Sequence, residues 1–282
     1  MEKQKSIQEI LDFCIINVDK PAGYTSFEVC EKIRKILDAK KAGHFGTLDP
    51  MVTGVLPIAI NRATRLSNYF MKKDKIYIGK MLLHSDIDEE RLKKEMNNFL
   101  GKIIQKPPKK SRVKRVERER YINEFRIMKK QGKIVEFYSN VEAGTYIRKL
   151  IHDLGKKIGG AHMIELRRIK AGIFEEKDSH LIKEIEEAFD IYKLSNNPEF
   201  LNKILIPAEI IKNIIPEVKV KESSLRDLFN GKPLFIRDML SNLETIENKF
   251  PYISVFCEEK FIGVYKVEKN LDIIAKPDFV LN

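Results

Sequence analysis

Two helices are predicted from apolar residues that recur at helical spacing. The first begins near residue 25, because Thr25 and Glu28 have the spacing of a capping box. Its apolar side is expected to consist of Phe27, Cys30, Ile33 and Leu37. The second helix covers residues 146–158 and ends at Gly159 and Gly160. Its apolar stripe consists of Ile147, Leu150, Ile151, Leu154 and Ile158.

Strands are predicted where apolar and polar residues alternate. Residues 134–141 alternate strictly, which is typical of a strand with one buried face. Residues 76–83 and 166–174 are also expected to be extended, and residues 55–60 form an apolar run that we expect to be buried. Long strands with helices between them favour an α+β domain with a mixed, mostly antiparallel sheet.

The pattern changes from about Ile214 onwards. Short β-like segments follow at 218–220, 233–236, 253–257 and 261–267, and they are separated by glycine and proline residues. This spacing is typical of a small β-barrel of about 70 residues. We therefore divide the chain into a larger domain, residues 1–212, and a smaller one, residues 213–282.

The composition indicates a nucleic-acid partner. The 282 residues carry a net charge of +11, which attracts polyanions. The three cysteines are isolated and the five histidines lack metal-ligand spacing, so we expect a reducing compartment and no metal. No apolar run has the length of a membrane span, and no signal-peptide pattern follows the charged first residues. We expect a soluble protein of the cytoplasm with no membrane partner.

The strongest candidate for a functional site is the segment 44–50. Gly46 and Pro50 mark a turn, and Asp49 lies on it shortly before the apolar run 55–60. A rigid buried strand could hold this carboxylate at the mouth of a cleft. A Leu-Asp-Pro sequence is also ordinary turn chemistry, since Asp bonds its own backbone and the residue before proline avoids the helical region.

Five segments together resemble the TruB/dyskerin family of RNA pseudouridine synthases. They are VDKPAGYTS (18–26), HFGTLDP (44–50), KIY (75–77), GTYIR (144–148) and GAHMIELRR (160–168). Their order and spacing match the family over roughly residues 14–175. The segments EAGTYIR and GAHM are most similar to the archaeal branch, the catalytic subunit of H/ACA guide-RNA particles. The chain departs from the family at Phe45, where a small residue is usual, and at Lys109, where an apolar one is common.

The resemblance implies a fold and a reaction. Residues 1–212 would form the pseudouridine-synthase catalytic domain, and residues 213–282 would form a PUA domain, which is an RNA-binding module. The reaction breaks the bond between uracil N1 and the ribose, turns the base and rejoins it through C5. The base must leave the RNA stack first. A carboxylate can then act as nucleophile, or assist loss of a proton from the sugar, without any cofactor.

The resemblance also implies roles for individual residues. Asp49 stands where the family has its essential aspartate, and Arg148 would keep it ionised and orient it. Tyr77 would stack on the flipped base, and His44 would contact RNA around that base. The residues alone also allow Arg148 to be a solvated helix residue, and Tyr77 and His44 to be packing residues.

Two further elements of the site follow from the same resemblance. Leu166 and Ile147 would form apolar walls that strengthen the pairing of Asp49 with Arg148. Lys20 and Pro21 would lie on a turn that supports the catalytic loop. A proline-glycine turn with a solvated Lys20 is the other interpretation of this segment.

The densest positive charge lies in residues 106–120, which hold eight basic and two acidic side chains. Charge runs are usually solvated surface, and a localisation signal is a second interpretation. Two prolines exclude a helix, and a basic loop of this kind suits binding to a phosphate backbone. The family has a mobile loop here that closes over the substrate, which implies that role for residues 106–116. The candidate RNA-binding residues are Lys109, Lys110, Arg112, Lys114 and Arg115, with Lys72, Lys73 and Lys75 as a second patch.

The implied substrate is a uridine in structured RNA. It would be ribosomal RNA selected by an H/ACA guide RNA with small ribonucleoprotein partner proteins, or uridine 55 in the T-loop of tRNA. The alternative from another class is a non-catalytic RNA-binding scaffold. It is disfavoured because an ionised carboxylate beside an RNA-binding cleft would repel phosphate without contributing any chemistry.

The basic segment gives a first prediction. Neutralising Lys109, Lys110, Arg112 and Lys114 should weaken RNA binding and flatten its dependence on salt, because fewer phosphate contacts release fewer counterions. Binding titrations at several salt concentrations measure both quantities. A salt dependence equal to that of the unmodified chain would show that the loop touches no phosphates.

Overall fold

In the computed structural model, two β-sheets organise the described residues, which are 5–107, 114–240, 250–268 and 272–282. The helices are α1 (Ile7–Asp12), α2 (Ser26–Ile36), α3 (Ser67–Met71), α4 (Glu89–Asn97), α5 (Ile147–Lys157), α6 (Ile182–Ser195), α7 (Glu199–Ile204) and α8 (Leu225–Phe229). The strands are β1 (Phe13–Lys20), β2 (Ala42–His44), β3 (Thr53–Asn61), β4 (Lys75–Leu83), β5 (Gly101–Gln105), β6 (Arg118–Gln131), β7 (Ile134–Val141), β8 (Ala161–Ala171), β9 (Phe174–Glu175), β10 (Ile206–Pro207), β11 (Glu217–Lys219), β12 (Leu234–Phe235), β13 (Tyr252–Cys257), β14 (Lys260–Val267) and β15 (Ile273–Val280).

The larger sheet has the strand order β10-β1-β3-β8-β4-β7-β6-β5, with β2 beside β3 and β9 beside β8. Its neighbouring strands run antiparallel except for β3 and β8, which pair in parallel through residues 53–54 and 167–168. The expectation of an α+β fold with a mixed, mostly antiparallel sheet is therefore confirmed. The parallel pair lies in the middle of the sheet, next to β4.

Helix α2 begins where the sequence predicted. The Thr25 hydroxyl accepts a hydrogen bond from the Glu28 N–H at 3.1 Å, and the Glu28 carboxylate accepts one from the Thr25 N–H at 2.7 Å. The prediction for Phe27 is wrong, because its side chain is 70% exposed. The buried face starts one residue earlier, at Ser26, since the Ser26 hydroxyl bonds to the backbone of Leu48. That face consists of Ser26, Val29, Cys30 and Ile33.

Helix α5 and the preceding strand also match their predictions. Strand β7 alternates buried and less buried residues over Ile134–Val141, as expected for one buried face. Helix α5 buries Ile147, Leu150, Ile151 and Leu154. Gly159 and Gly160 follow it with φ angles of 83° and 111°, which a residue with a side chain adopts only under strain. The helix therefore ends just before this pair, which leads the chain into β8.

The smaller sheet has the order β11-β13-β14-β15-β12. It has its own apolar cluster, which includes Val218, Ile253 and Tyr265. The four predicted segments correspond to β11, β12, β13 and β14. Strand β15 was missed because Lys276, Pro277 and Asp278 interrupt its apolar pattern.

An aromatic cluster joins the two sheets. The ring of Phe13, on β1, stacks on Phe261, on β14, with ring centroids 5.4 Å apart. Phe279 lies 6.4 Å from both rings, and the Tyr69 hydroxyl donates to the carboxylate of Asp278. Aromatic pairs of this kind contribute about 1 kcal/mol each beyond the area they bury. The small sheet is thus packed onto the large one through a shared core.

Candidate active site

Asp49 and Arg148 form an ion pair. Asp49 lies on the turn between β2 and β3, and Arg148 is the second residue of α5. The Arg148 Nη2 donates to the Asp49 Oδ2. Their side chains are 57% (Arg148) and 53% (Asp49) exposed, so the pair contributes no more than about 1 kcal/mol to stability. Its main physical effect is to orient a carboxylate that solutes can reach.

The backbone on both sides of Asp49 is fixed. The Leu48 N–H donates to the Ser26 hydroxyl at 2.8 Å, and that hydroxyl donates back to the Leu48 carbonyl at 3.1 Å. On the other side, the Pro50 carbonyl accepts from the Gly23 N–H at 2.9 Å. A side chain on such a turn keeps its direction, because its neighbours cannot rotate independently.

Lys20 holds the same turn from the interior of the protein. Its side chain is fully buried, and its ammonium donates to the carbonyls of Pro21 (2.8 Å), Tyr24 (2.7 Å) and Pro50 (3.0 Å). Burial lowers the pKa of Lys20, while the nearby charge of Asp49 acts in the opposite direction. The interpretation of Lys20 as a solvated residue is therefore wrong.

Arg168 is a second buried cation under the turn, and no role was expected for it from the sequence. Its Nε donates to the Val55 carbonyl at 2.7 Å and its Nη2 to the Gly46 carbonyl at 3.0 Å. A Cβ on Gly54 would lie 2.2 Å from the Arg168 carbonyl oxygen, so only glycine fits there. No local pattern identifies Arg168 as buried, because the alternation of apolar and polar residues along β8 breaks at Arg167 and Arg168.

The strand register brings further predicted residues to this region. Arg168 on β8 pairs with Gly54 on β3 and with Tyr77 on β4. Tyr77 is 8% exposed and belongs to the main core, so it borders the site from within the sheet. Leu166 is partly buried two residues along β8, and its side chain lies over Gly79. Ile147 is buried directly before Arg148.

His44 and Phe45 occupy the start of the turn. His44 is half-buried, and its Nδ1 has no hydrogen-bond partner within the described part of the chain. Burial, with the positive charge of Arg168 as a second cause, lowers the pKa of His44, which favours the neutral ring. Phe45 is buried and stacks on Phe70 with centroids 4.6 Å apart. The departure from the family at Phe45 thus fills the core beneath the turn.

The predicted basic patches have different outcomes. Lys114 and Arg115 are exposed, whereas Lys109, Lys110 and Arg112 lie outside the described residues. The prediction for Lys75 is wrong, because it is only 5% exposed and its ammonium donates to the backbone carbonyls of Met71 and Lys73. Carbonyl oxygens at the end of α3 bind this cation, which is therefore unavailable to RNA.

A cleft of about 710 Å³ lies between the two sheets, away from Asp49. The larger sheet and its loops contribute four cations to its lining, and the C-terminal part of the chain contributes residues 230–231, after α8, and residues 277–280 and 282. The cations are Lys40, Lys41, Arg62 and Arg65. The carboxylates of Asp12 and Asp278 also line it, and Asp12 pairs with Arg62 at 3.2 Å.

Comparison with known proteins assigns the family. Residues 34–147 match the model of the TruB family pseudouridylate synthase (N terminal domain), and residues 148–211 match that of the tRNA pseudouridylate synthase B C-terminal domain. The chain belongs to the TruB family of pseudouridine synthases. A "Probable tRNA pseudouridine synthase B" of Pyrobaculum islandicum is 39% identical over 232 residues, which cover 82% of this chain and 71% of the relative. The protein of the same name from Methanocaldococcus jannaschii is 40% identical over 235 residues, which cover 83% and 70%.

The similarity to known proteins also holds for the three-dimensional fold, as two solved structures show. A chain in a crystal structure of a Cbf5-Nop10-Gar1 complex is 33% identical, with a TM-score of 0.90 over 98% of this chain and 87% of that one. A chain in an H/ACA RNP bound to a substrate RNA containing 2′-deoxyuridine is 31% identical, with a TM-score of 0.87 over 99% and 88%. Both alignments include the smaller sheet.

The described residues contain neither a cluster of metal ligands nor a membrane-spanning helix. No three side chains of His, Cys, Asp or Glu come together there as ligands for a metal ion. None of the helices in that part of the chain is both long and apolar enough to span a membrane.

Lys75 gives a prediction for the pH dependence of stability. Burial, with repulsion from Arg168 as a second cause, lowers the pKa of Lys75 from 10.5 to about 8 in the folded chain. Between these values the unfolded chain binds more protons than the folded one, so raising the pH favours folding. The free energy of unfolding of the wild type should therefore rise relative to that of Lys75→Met across this interval. Urea unfolding at several pH values measures the difference.

The matched control is Lys72→Met, which removes an exposed lysine three residues away. Its difference from the wild type should not change with pH. If Lys75→Met and Lys72→Met show the same pH dependence, Lys75 does not have a depressed pKa in the folded chain.

Proposed function

We propose that this chain converts uridine to pseudouridine in RNA, with Asp49 as the essential carboxylate. The observation that carries this proposal is the contact between Asp49 and Arg148, which joins two motifs 99 residues apart in the sequence. An exposed carboxylate held by a guanidinium on a fixed turn has one free side, and a flipped nucleotide can approach it there. The membership in the TruB family supports the same reaction.

Asp49 and the side chains around it have different roles in the proposed reaction. Asp49 acts on the ribose, as a nucleophile or by assisting loss of a proton, when uracil leaves the sugar. Arg148 binds the carboxylate and aims it at the ribose. Lys20 and Arg168 hold the turn through backbone carbonyls, so that little reorganisation accompanies the reaction. Tyr77 and Leu166 border the place of the everted base, and His44 contacts RNA beside it as a neutral ring.

The relatives suggest the substrate and partners. Proteins 37–40% identical to this chain are named tRNA pseudouridine synthase B, and the similar solved chains are found with Nop10, with Gar1 and in an H/ACA RNP with substrate RNA. We infer that this chain is the catalytic subunit of such a particle in the cytoplasm. A guide RNA then selects the uridine, and tRNA is the substrate when the chain acts alone.

Two surfaces support RNA binding. The first is the basic segment, of which Lys114 and Arg115 are exposed. The second is the cleft between the sheets, where four cations face residues of the smaller sheet. We assign the smaller sheet to a PUA domain, residues 213–282, which would hold RNA on the far side of that cleft. Contacts of this type add affinity and position the RNA.

Replacing Asp49 tests the catalytic proposal. Asp49→Asn should abolish pseudouridine formation, because the amide cannot supply the negative charge, while RNA affinity should stay within a few fold. Mass spectrometry of the digested RNA measures the product, and filter binding measures affinity. The control is Asp38→Asn, which removes another exposed aspartate that is paired with Lys193 and should leave turnover unchanged. Turnover retained by Asp49→Asn would rule out Asp49 as the essential carboxylate, whereas a wild type without any turnover would leave the non-catalytic scaffold as the better description.

The route of target selection needs a second experiment. The purified chain is offered tRNA alone, and then a ribosomal substrate with and without guide RNA and partner proteins, with pseudouridine mapped at single nucleotides. We expect modification of the ribosomal substrate only when guide RNA and partners are present. Modification at the same uridine without a guide would mean that the enzyme itself reads the substrate.

A further inference from the structure

Gln105, the last residue of β5, is buried although its side chain is polar. It is 3% exposed. Its Oε1 accepts a hydrogen bond from the Tyr146 N–H at 2.9 Å, and its Nε2 donates to the Tyr146 carbonyl at 3.3 Å. One side-chain amide therefore pairs with both polar groups of one backbone residue, as a neighbouring strand would.

Tyr146 is the residue at which α5 begins. It is the N-cap, and no side chain there makes a capping hydrogen bond, since tyrosine is not one of the residues that cap a helix. Gln105 instead binds the Tyr146 backbone and fixes where the first turn starts. Arg148 follows two residues later, in that first turn, and pairs with Asp49.

Gln105 also marks the base of the hairpin that carries the basic segment. Strands β5 and β6 pair in antiparallel fashion, and Gln105 is opposite Arg118 at the end of this ladder. The basic segment starts at the next residue, Lys106. The same side chain thus lies where the hairpin of a proposed RNA-binding element meets the helix of the proposed active-site arginine.

We propose that Gln105 is a positioning residue for catalysis, which acts through the Tyr146 backbone to place Arg148 against Asp49. This inference rests on the proposed function. A loss of the two hydrogen bonds would free the first turn of α5 to shift, and a misplacement of about 1 Å in an active site can lower a rate by about a hundredfold. The binding of RNA would change little, because the substitution removes none of the exposed cations that are proposed to hold it.

Two substitutions at Gln105 test the inference. Gln105→Leu removes both hydrogen bonds, whereas Gln105→Glu keeps an acceptor for the Tyr146 N–H but sets a carboxylate oxygen against the Tyr146 carbonyl. At saturating RNA we expect kcat to fall about tenfold to a hundredfold in Gln105→Leu and less in Gln105→Glu, with KM and RNA affinity within threefold of the wild type. The matched control is Ile104→Thr, on the exposed side of the same strand, with unchanged kcat.

A double-mutant cycle separates positioning from a general loss of structure. If Gln105 acts through Arg148, adding Gln105→Leu to Arg148→Lys should change kcat by less than about threefold, because the geometry it protects is already lost. A full additional loss in the double variant overturns the inference. So does an unchanged kcat in folded Gln105→Leu, or in Gln105→Glu if the leucine variant does not fold.

The wild type, measured in the same assay, separates a failure of the proposed function from a failure of the role proposed for Gln105. A wild-type chain that forms no pseudouridine, with guide RNA and partners present, contradicts the proposed function. A wild type that forms pseudouridine, together with Gln105 variants that turn over at its rate, contradicts only the role of Gln105.

Discussion

Two buried cations hold the turn that carries Asp49, and the rest of the site depends on this constraint. Lys20 and Arg168 donate to backbone carbonyls at Pro50, Gly46 and Val55, on both sides of the aspartate. A buried charge costs several kcal/mol unless polar groups compensate it. Here carbonyl oxygens on the turn provide the compensation, so the turn cannot move without leaving a buried cation unsatisfied. That penalty, more than the exposed ion pair, keeps Asp49 in place.

The surrounding sheet makes this arrangement possible. The parallel pair β3–β8 brings Gly54 against Arg168, and the absence of a side chain on Gly54 allows the two backbones to touch. Strand β4 pairs with the other edge of β8 and places Tyr77 opposite Arg168. The Phe13–Phe261 stack fixes the smaller sheet to the larger one. RNA held by the smaller sheet would therefore have a defined position relative to the turn.

The sequence predicted the helices and strands that have a clear periodicity. It also predicted the two exposed charged residues of the site, Asp49 and Arg148. The capping box of α2, the stripe of α5 and the alternation of β7 depend on local spacing, and the structure confirms them. The contact of Asp49 with Arg148 was expected from the family motifs alone, since residues 99 apart share no local signal. Their catalytic roles remain predictions.

Buried polar side chains were not predictable in the same way. Lys75 was grouped with Lys72 and Lys73 because a lysine-rich run gives no sign of which member turns inward. Gln105 and Arg168 received no role, because the groups that satisfy them belong to segments 41 and 113 residues away. Phe27 was placed on the buried side of α2 because helical spacing alone allows the buried face to include either Ser26 or Phe27. The hydrogen bond between Ser26 and Leu48 turns the Ser26 side inward.

The most direct test of this account is a crystal structure of the chain with a substrate RNA bound. The account predicts an everted uridine with its ribose C1′–C2′ edge within about 3.5 Å of the Asp49 carboxylate, with Arg148 still bonded to that carboxylate. A bound RNA whose target uridine remains stacked in the duplex, or lies at another acidic residue with Asp49 open to solvent, would contradict it.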